Sequence, residues 1–328
     1  MKWRAALLLL VVAAAVAWVL IGGFGGTELG DEGQAGPGSG PGVAEASGFE
    51  QAVVRGEAQT QVAPPSAAAV RLALQPEQDP LPVTHEFGDP PRAGMMFDVD
   101  TGEILWEHHP DRELPIASLT KMMTAHLIAA RHRPGEKVLI SKDAPRTGGS
   151  MVGVLPVGKK VPLGALLDGL LLVSGNDAAT ALAEHDAGTV GRFVDRMNDE
   201  AGRIGLSCSH FTTPHGLEDE DNYSCPRDLA ILARADLADP WIARIARTDH
   251  VDVPFPIKGG RLELYNNNPF IRTGDPTITG LKTGYTDAAG RCYVTTAERG
   301  GRQLGVILLD TPDPLTQIPK LLELGAAA

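Results

Sequence analysis

A serine and a lysine three residues apart, Ser118 and Lys121, are the residues of this sequence best suited to covalent chemistry. On a helix this spacing places the hydroxyl and the amine one turn apart on the same face, where they can share a proton. A serine hydroxyl is inert at neutral pH without a base, and the apolar neighbours Leu119, Met122 and Met123 disfavour the charged form of the Lys121 amine. The pair therefore predicts a serine nucleophile at Ser118 with Lys121 as its base.

Two further short motifs follow in the chain. Ser174-Gly175-Asn176 is predicted to form a turn between two helices, from which a hydroxyl can relay protons and an amide can bind a peptide group. Lys282-Thr283-Gly284 falls on a strand, where the glycine lets a ligand approach the backbone and the lysine and threonine can face an anionic group. Each motif alone is weak. Together, and in this order, the three are typical of serine acyl-enzymes that react with penicillin.

The N-terminal segment has the composition of an export signal. Lys2 and Arg4 precede an apolar run from Ala5 to Ile21, which approaches the length needed to span a bilayer. The two positive charges favour a cytoplasmic N-terminus, so residues 1–26 are predicted to anchor the chain with its remainder at the extracytoplasmic face of a bacterial membrane. The alternative is a signal peptide cleaved at Ala15-Val16-Ala17, which would release the protein to the cell wall.

The remaining chain divides by composition. Residues 27–83 are rich in Gly, Pro, Ala, Gln and Glu and are predicted to form a flexible linker without a core. Residues 84–328 are long enough for one sizeable core and are predicted to form the catalytic domain. The net charge of −12, with no stripe of lysine and arginine, argues against a nucleic-acid partner. No P-loop or dinucleotide fingerprint occurs, so no cofactor is expected.

Cys208 and Cys225 are predicted to form a disulfide, because an exported chain here carries an even pair of cysteines around one loop. The alternative is a zinc site that also uses His210 and His215. None of the usual zinc-ligand spacings is present, so no metal is expected. Cys292 lies in an apolar alternating strand and is expected to be a small buried hydrophobe.

Periodicity predicts the elements that must position these motifs. Strands are expected at Ala93–Asp98, Glu103–Glu107, Gly280–Thr286, Arg291–Glu298 and Gln303–Asp310. Helices are expected at Pro115–Ala130, Leu163–Val173, Asp177–Glu184, Val190–Gly202, Arg227–Leu237 and Pro314–Leu324. Two early strands and three late ones must then pair. The prediction is an α+β fold: one five-stranded antiparallel sheet flanked by helices, with a helical region inserted between its strands.

From about Arg92 to Leu324 the sequence resembles the low-molecular-mass penicillin-binding proteins, the serine-type D-alanyl-D-alanine carboxypeptidases of peptidase family S11. Besides the three motifs, the segments that resemble this family are Asp100-Thr101-Gly102, Pro115 to Thr124, Ser174 to Ala179, Pro214 to Leu217, Tyr223 to Asp228, and Ala289 to Cys292. The resemblance implies a β-lactamase/transpeptidase-like fold. It also implies removal of the terminal D-alanine from peptidoglycan stem pentapeptides through a serine acyl-enzyme, which β-lactam antibiotics would inhibit covalently.

The same resemblance implies a role for each matching residue. Its catalytic residues would be Ser118, Lys121 and Ser174, and substrate would be bound by Asn176, Lys282, Thr283, Gly284 and Arg227, with Arg227 on the terminal carboxylate. The backbone N–H groups of Ser118 and Tyr285 would form the oxyanion hole. Many relatives carry a β-rich C-terminal domain and an amphipathic membrane helix beyond this point, so the anchor of this chain is expected at its N-terminus instead.

Three other functions fit parts of the sequence. A D,D-endopeptidase would use the same motifs without reading a free carboxylate. A β-lactamase-like hydrolase needs a glutamate that activates water, and Glu218 to Asn222 has the outline of such a loop, although this stretch also matches the carboxypeptidases. A membrane-tethered wall-binding protein without turnover would not need the intact set of three motifs.

Overall fold

The computed structural model describes residues 66–217 and 221–328. The predicted anchor, most of the predicted linker and the acidic residues Glu218, Asp219 and Glu220 lie outside the described residues. Within the described part of the chain, no helix combines the length and the apolar character that crossing a membrane requires.

The described elements are numbered here in chain order. The strands are β1 (Ala93–Asp98), β2 (Ile104–His108), β3 (Leu114–Pro115), β4 (Lys137–Leu139), β5 (Lys160–Pro162), β6 (Tyr223–Ser224), β7 (His250–Pro254), β8 (Arg261–Tyr265), β9 (Ile278–Thr286), β10 (Gly290–Arg299) and β11 (Arg302–Leu309). The helices are α1 (Ala67–Leu72), α2 (Lys121–Arg131), α3 (Leu163–Leu171), α4 (Asn176–Ala187), α5 (Val190–Ile204), α6 (Pro226–Ala238), α7 (Pro240–Ala246) and α8 (Pro314–Ala327).

The predicted five-stranded antiparallel sheet is confirmed. Its strand order is β2-β1-β11-β10-β9, so the first strand of the domain lies between the second and the last. All six residues of β1 are buried, because both faces of the sheet are covered. Met95 and Phe97 pack toward the helical region, whereas Met96 packs on the opposite face with Ile318 and Leu321 of α8. The sheet is thus the middle layer of an α+β fold.

The inserted helical region lies between β2 and β9, as predicted. Its helices α2, α3 and α4 pack against one another, and α6 packs against both α2 and the sheet. The helix predicted to begin at Pro115 begins differently: a 3₁₀ turn at Ala117–Thr120 precedes α2, which starts at Lys121. Ser118, the predicted nucleophile, therefore lies on a tight turn ahead of the helix.

The predicted linker ends earlier than its composition indicates. Helix α1 packs on α5 and α6, and Leu72 is only 7% exposed. The Arg234 guanidinium donates to the carbonyl oxygens of Leu72 and Ala73 at 2.6 Å, and the Val83 amide donates to Leu105 of β2 at 2.9 Å. Residues 66–83 consequently belong to the folded domain. The buried Leu72 side chain and these hydrogen bonds secure the segment, and neither feature is visible in its average composition.

Candidate active site

The 3₁₀ turn that carries Ser118 is held from two sides. Ala117 has a φ of 47°, and the Thr120 hydroxyl donates to the Ala117 carbonyl at 2.8 Å. The side-chain amide of Asn222 donates to the same Thr120 hydroxyl at 2.9 Å. Asn222 is fully buried, so this one residue supports the turn that carries Ser118.

Glycine at position 216 lets a second loop close over that turn. Gly216 has a φ of 72°, and a Cβ atom there would stand 2.0 Å from the carbonyl oxygen of Ala117. The neighbouring Pro214 carbonyl accepts a hydrogen bond from the Thr124 hydroxyl of α2 at 2.7 Å. The loop from Pro214 to Leu217 therefore forms a cover over the 3₁₀ turn that carries Ser118.

The Lys121 amine lies between the nucleophile and this cover. Its Nζ is 2.8 Å from Oγ of Ser118 and donates to the His215 carbonyl oxygen at 2.8 Å. The side chain is completely buried. Burial, reinforced by the nearby charge of Lys282 and opposed by that of Asp177, lowers the pKa of Lys121 well below its ordinary value. The predicted pair is thus brought together with a base that can be neutral.

The second motif places a hydroxyl in the same groove. Ser174 has a φ of 61°, which turns the chain sharply between α3 and α4. Its Oγ is buried and finds no hydrogen-bond partner among the described residues. Because buried hydroxyls are usually paired, this unsatisfied Oγ is the expected position of a group that completes its hydrogen bonds with a substrate.

Asn176 and Asp177 shape the loop opposite Ser174. The Asn176 side-chain amide donates to the Gly148 carbonyl at 2.9 Å, and its backbone amide donates to Ser150 at 2.7 Å. The buried Asp177 carboxylate accepts the amides of Val152 and Gly153 at 2.8 and 2.9 Å. These contacts position Ser150, which lines the groove, and substrate binding by Asn176 stays a prediction.

The third motif lies on β9, which packs against the 3₁₀ turn. A Cβ atom at Gly284 would stand 2.9 Å from the Ser118 amide nitrogen, so only glycine allows the strand this close. Lys282 is buried and its Nζ donates to the Thr283 carbonyl at 2.7 Å. Burial lowers the pKa of Lys282 to about 7. The strand therefore carries the Tyr285 backbone past the nucleophile, beside a lysine that titrates near neutral pH.

The three motifs meet in an open groove of about 330 Å³. Its lining residues are Ser118, Ser150, Ser174, Asn267, Thr283, Gly284, Tyr285, Arg291 and Tyr293. In the register of β9 and β10, Arg291 lies directly opposite Tyr285, and Tyr293 opposite Thr283. Arg291 is the charged side chain of this described lining, and it is exposed. The groove thus combines a nucleophile, two further hydroxyl-bearing serines and one guanidinium.

Arg227 does not reach the groove, contrary to the sequence-based assignment. It lies in the first turn of α6, where its guanidinium pairs with Asp111 at 2.6 Å and with Glu77 at 2.5 Å. Its backbone amide donates to the Pro110 carbonyl at 3.0 Å. These two ion pairs occupy the guanidinium of Arg227 and hold Glu77 and Asp111 against the domain. Among the described residues that line the groove, Arg291 is the charged one.

Cys208 and Cys225 are joined in a disulfide, with their Cα atoms 5.9 Å apart. The four residues of the alternative zinc site do not converge. His215 lies buried near Lys121, whereas His210 faces the carbonyl oxygen of Asp221 at 2.6 Å. Cys292 is buried, as expected. The disulfide closes the segment whose start, Cys208, is also held by the Asp228 carboxylate at 2.8 Å.

The motifs do not predict four of the residues that line the groove, which are Ser150, Asn267, Arg291 and Tyr293. Arg291 and Tyr293 could have been found by pairing the two predicted late strands, since the register places them opposite the third motif. Ser150 and Asn267 lie in loops without any motif. Only the tertiary structure brings these two to the groove.

Comparison with known proteins agrees with this geometry. A profile of the Peptidase S11 family, described as D-alanyl-D-alanine carboxypeptidase, matches residues 91–313. The D-alanyl-D-alanine carboxypeptidase DacF of Bacillus subtilis is 31% identical over 73% of this chain and 63% of its own length. DacA of Escherichia coli is 34% identical over 64% of this chain and 53% of its own length. The chain thus spans between about half and two thirds of these curated relatives.

Solved structures show the same fold. The Streptomyces K15 DD-transpeptidase superposes with a TM-score of 0.69 at 29% identity, over 75% of this chain and all of that one. The D-alanyl-D-alanine carboxypeptidase DacD of Francisella tularensis gives a TM-score of 0.67 at 28% identity, over 76% of this chain and 73% of its own. With the Ser118–Lys121 pair, the Ser174 turn and the β9 motif assembled in one groove, the chain belongs to the Peptidase S11 family.

Proposed function

We propose that this protein is a serine-type D-alanyl-D-alanine carboxypeptidase that removes the terminal D-alanine of peptidoglycan stem pentapeptides. The observation that carries the proposal is the completely buried Lys121 amine 2.8 Å from the Ser118 hydroxyl, in a groove that also holds an unpaired serine hydroxyl and a guanidinium. β-Lactam antibiotics, whose reactive amide resembles the scissile bond, are proposed to acylate the same serine.

In acylation, Oγ of Ser118 attacks the carbonyl carbon between the last two D-alanines, and its proton passes to Nζ of Lys121. The negative charge that develops on the carbonyl oxygen is proposed to be stabilised by the backbone N–H groups of Ser118 and Tyr285. The closeness of β9 to the Ser118 amide, which Gly284 permits, supports this arrangement. When the C–N bond breaks, the leaving amine takes up a proton from Lys121, with the Ser174 hydroxyl as the relay.

In deacylation, water attacks the ester carbon while Lys121 accepts its proton, and Oγ of Ser118 leaves and is reprotonated. None of the described residues that line the groove is a carboxylate, and Glu218 and Glu220 of the β-lactamase alternative lie outside the described residues. The leaving group of a β-lactam stays tethered to the acyl group, which favours a long-lived complex with these antibiotics.

An exo-acting enzyme must distinguish a free C-terminal carboxylate from an amide. Arg291 is the lining residue suited to this, because a guanidinium binds a carboxylate through two parallel charge-assisted hydrogen bonds. Its own recorded hydrogen bond, to the Pro312 carbonyl at 3.3 Å, leaves further N–H groups for a ligand. The cross-strand position opposite Tyr285 directs it to the end of the groove beside the proposed oxyanion hole.

The first prediction concerns the covalent step. Fluorescent penicillin should label the wild type and fail to label Ser118→Ala, because the nucleophile is gone. Lys121→Ala should lower the acylation rate by roughly 10²–10⁴-fold, the usual contribution of a general base. Lys320→Ala, a surface lysine on α8, serves as the control and should label at the wild-type rate. Equal labelling of the wild type and Ser118→Ala would contradict the assignment.

The second prediction concerns the carboxylate. Arg291→Ala should slow cleavage of a stem pentapeptide ending in D-Ala-D-Ala by about tenfold or more, since each charge-assisted hydrogen bond contributes roughly 1.5–3 kcal/mol. The C-terminal amide of the same peptide should be a poor substrate for the wild type and unaffected by the substitution. Product masses and initial rates provide the measurement.

Arg227→Ala is the matched control for this experiment, because it removes an arginine that the structure holds outside the groove. It should leave the preference for acid over amide unchanged. If the wild type cleaves acid and amide equally well, the carboxylate is not recognised, and the D,D-endopeptidase function replaces the carboxypeptidase one.

The third prediction concerns pH. Acylation needs neutral Lys121, so kcat/KM should rise with pH as that amine loses its proton. Binding of the anionic substrate is aided by charged Lys282, whose charge is lost as pH rises through about 7, so kcat/KM should fall again on the alkaline side. In Lys282→Arg the charge persists at all these pH values, and the alkaline decrease should disappear. If kcat/KM of Lys282→Arg still falls on the alkaline side, a group other than Lys282 causes that decrease.

We also propose that residues 1–26 hold the catalytic domain at the extracytoplasmic face of the membrane. The support is the apolar run from Ala5 to Ile21 behind two positive charges. The fourth prediction is that the full-length protein sediments with membranes after a carbonate wash, whereas deletion of residues 2–26 abolishes this. Recovery of an N-terminally shortened wild-type protein from the soluble extracytoplasmic fraction would indicate a cleaved signal peptide instead.

A further inference from the structure

A cluster of two histidines and one glutamate lies at the ends of α2 and α4. His132 follows the last residue of α2, Glu136 lies four residues further, and His185 is in the last turn of α4. One ligand atom from each of the three lies within 4.8 Å of the others. All three side chains are partly exposed, so an ion from solvent can reach them.

One carboxylate oxygen of Glu136 faces both imidazoles. Its Oε2 is 2.9 Å from Nδ1 of His132 and 3.4 Å from Nε2 of His185. Two ligand atoms on a tetrahedral zinc ion, each about 2.0–2.1 Å from the metal, are roughly 3.3 Å apart. The existing separations therefore need only small side-chain adjustments to enclose an ion.

The other carboxylate oxygen of Glu136 is already fixed. Oε1 accepts the Arg133 backbone amide at 2.7 Å, which orients the carboxylate with Oε2 toward the histidines. Oε2 therefore remains as the carboxylate oxygen that can bind an ion between the two imidazoles.

A second carboxylate orients the His132 ring. Asp186, whose side chain is 1% exposed, accepts a hydrogen bond from Nε2 of His132 at 2.9 Å. Arg131 and Arg196 donate to the same carboxylate at 2.6 and 2.5 Å. With Nε2 directed at Asp186, Nδ1 is the nitrogen of His132 that faces Glu136. A carboxylate behind a histidine in this manner is the usual outer support of a metal ligand.

We propose that His132, His185 and Glu136 form a binding site for a divalent transition-metal ion, with Zn²⁺ as the best match. Two imidazole nitrogens and one carboxylate oxygen suit zinc, nickel or copper, whereas calcium and magnesium prefer sites made of oxygen alone. The remaining coordination position would be taken by water. The ion replaces the proton that otherwise lies between Nδ1 of His132 and Glu136.

The site is separate from the acyl-transfer groove. Helices α2 and α4 begin at Lys121 and Asn176, whereas the histidines lie at their other ends. The 11 residues of α2 alone span about 16 Å. A bound ion would therefore join the C-terminal ends of the two helices whose N-terminal ends carry active-site motifs. The proposal does not depend on the acyl-transfer chemistry.

The fifth prediction uses the full-length protein, purified in detergent and freed of metal with a chelator. Titration with ZnCl₂ in a calorimeter should show one equivalent bound with a Kd below the millimolar range. His185→Gln and Glu136→Gln should weaken this binding at least as much as the roughly 10–100-fold that loss of an outer-shell partner costs. Their folding is checked by penicillin labelling, which should remain at the wild-type rate.

His250→Gln is the matched control, because His250 is an exposed histidine stacked on Tyr265 of the β7–β8 hairpin, away from the cluster. It should bind zinc like the wild type. Co²⁺ should give intense visible absorption bands in the wild type and His250→Gln, but not in His185→Gln. Equal zinc affinity in the wild type and His185→Gln would overturn the proposal, as would competition by Ca²⁺ at the same concentration as zinc.

Discussion

The Lys121 amine has to be kept out of water while remaining within hydrogen-bond distance of Ser118, and the rest of the site is arranged around this requirement. Removing an ammonium ion from water costs several kcal/mol, and burial therefore lowers the pKa of Lys121 well below its ordinary value. The His215 carbonyl then satisfies one of its N–H groups. The cover that supplies this carbonyl can approach only because Gly216 has no side chain.

Positive charge around the nucleophile is divided between two residues with different properties. Lys282 is buried and titrates near neutral pH, and its charge further disfavours that of Lys121. Arg291 is exposed and permanently charged, so it can attract an anionic substrate without affecting the buried base as strongly. Asp177 provides the opposing negative charge while also fixing the loop that brings Ser150 to the groove. The described part of the site thus has two cations in different settings, one buried near Lys121 and one exposed in the lining of the groove.

Much of the fold could be predicted because it follows from local patterns. The five sheet strands are strongly apolar or alternating, and each lies within two residues of its expected bounds. The pairs β3–β6, β4–β5 and β7–β8 could not be predicted, because their strands are short and are stabilised by partners distant in sequence or by a single hairpin. The packing of residues 66–83 depends likewise on Arg234, far along the chain.

The residues of the site likewise divide into those that the sequence predicts and those that only the structure identifies. Ser118, Lys121, Ser174, Lys282 and Thr283 were predictable because the chemistry requires those residue types at fixed spacings. The position of Arg227 outside the groove could not be predicted, since sequence cannot show that Glu77 and Asp111 pair with that side chain. Recognising Arg291 requires the strand register that places it opposite Tyr285. The 3₁₀ turn at Ser118 depends on Asn222 and Gly216, which lie about a hundred residues away.

The position of β1 in the sheet has a consequence for how the chain acquires its structure. β1 pairs with β11, so the centre of the sheet joins residues near 95 to residues near 307. Closing so long a loop costs entropy that is recovered only when the late strands dock, which makes the fold one of high contact order. Because β9 reaches the turn that carries Ser118 through this same sheet, the groove cannot be complete before β11 is synthesised. A growing chain that has not yet reached Leu309 therefore lacks the assembled groove, although it already carries all three motifs.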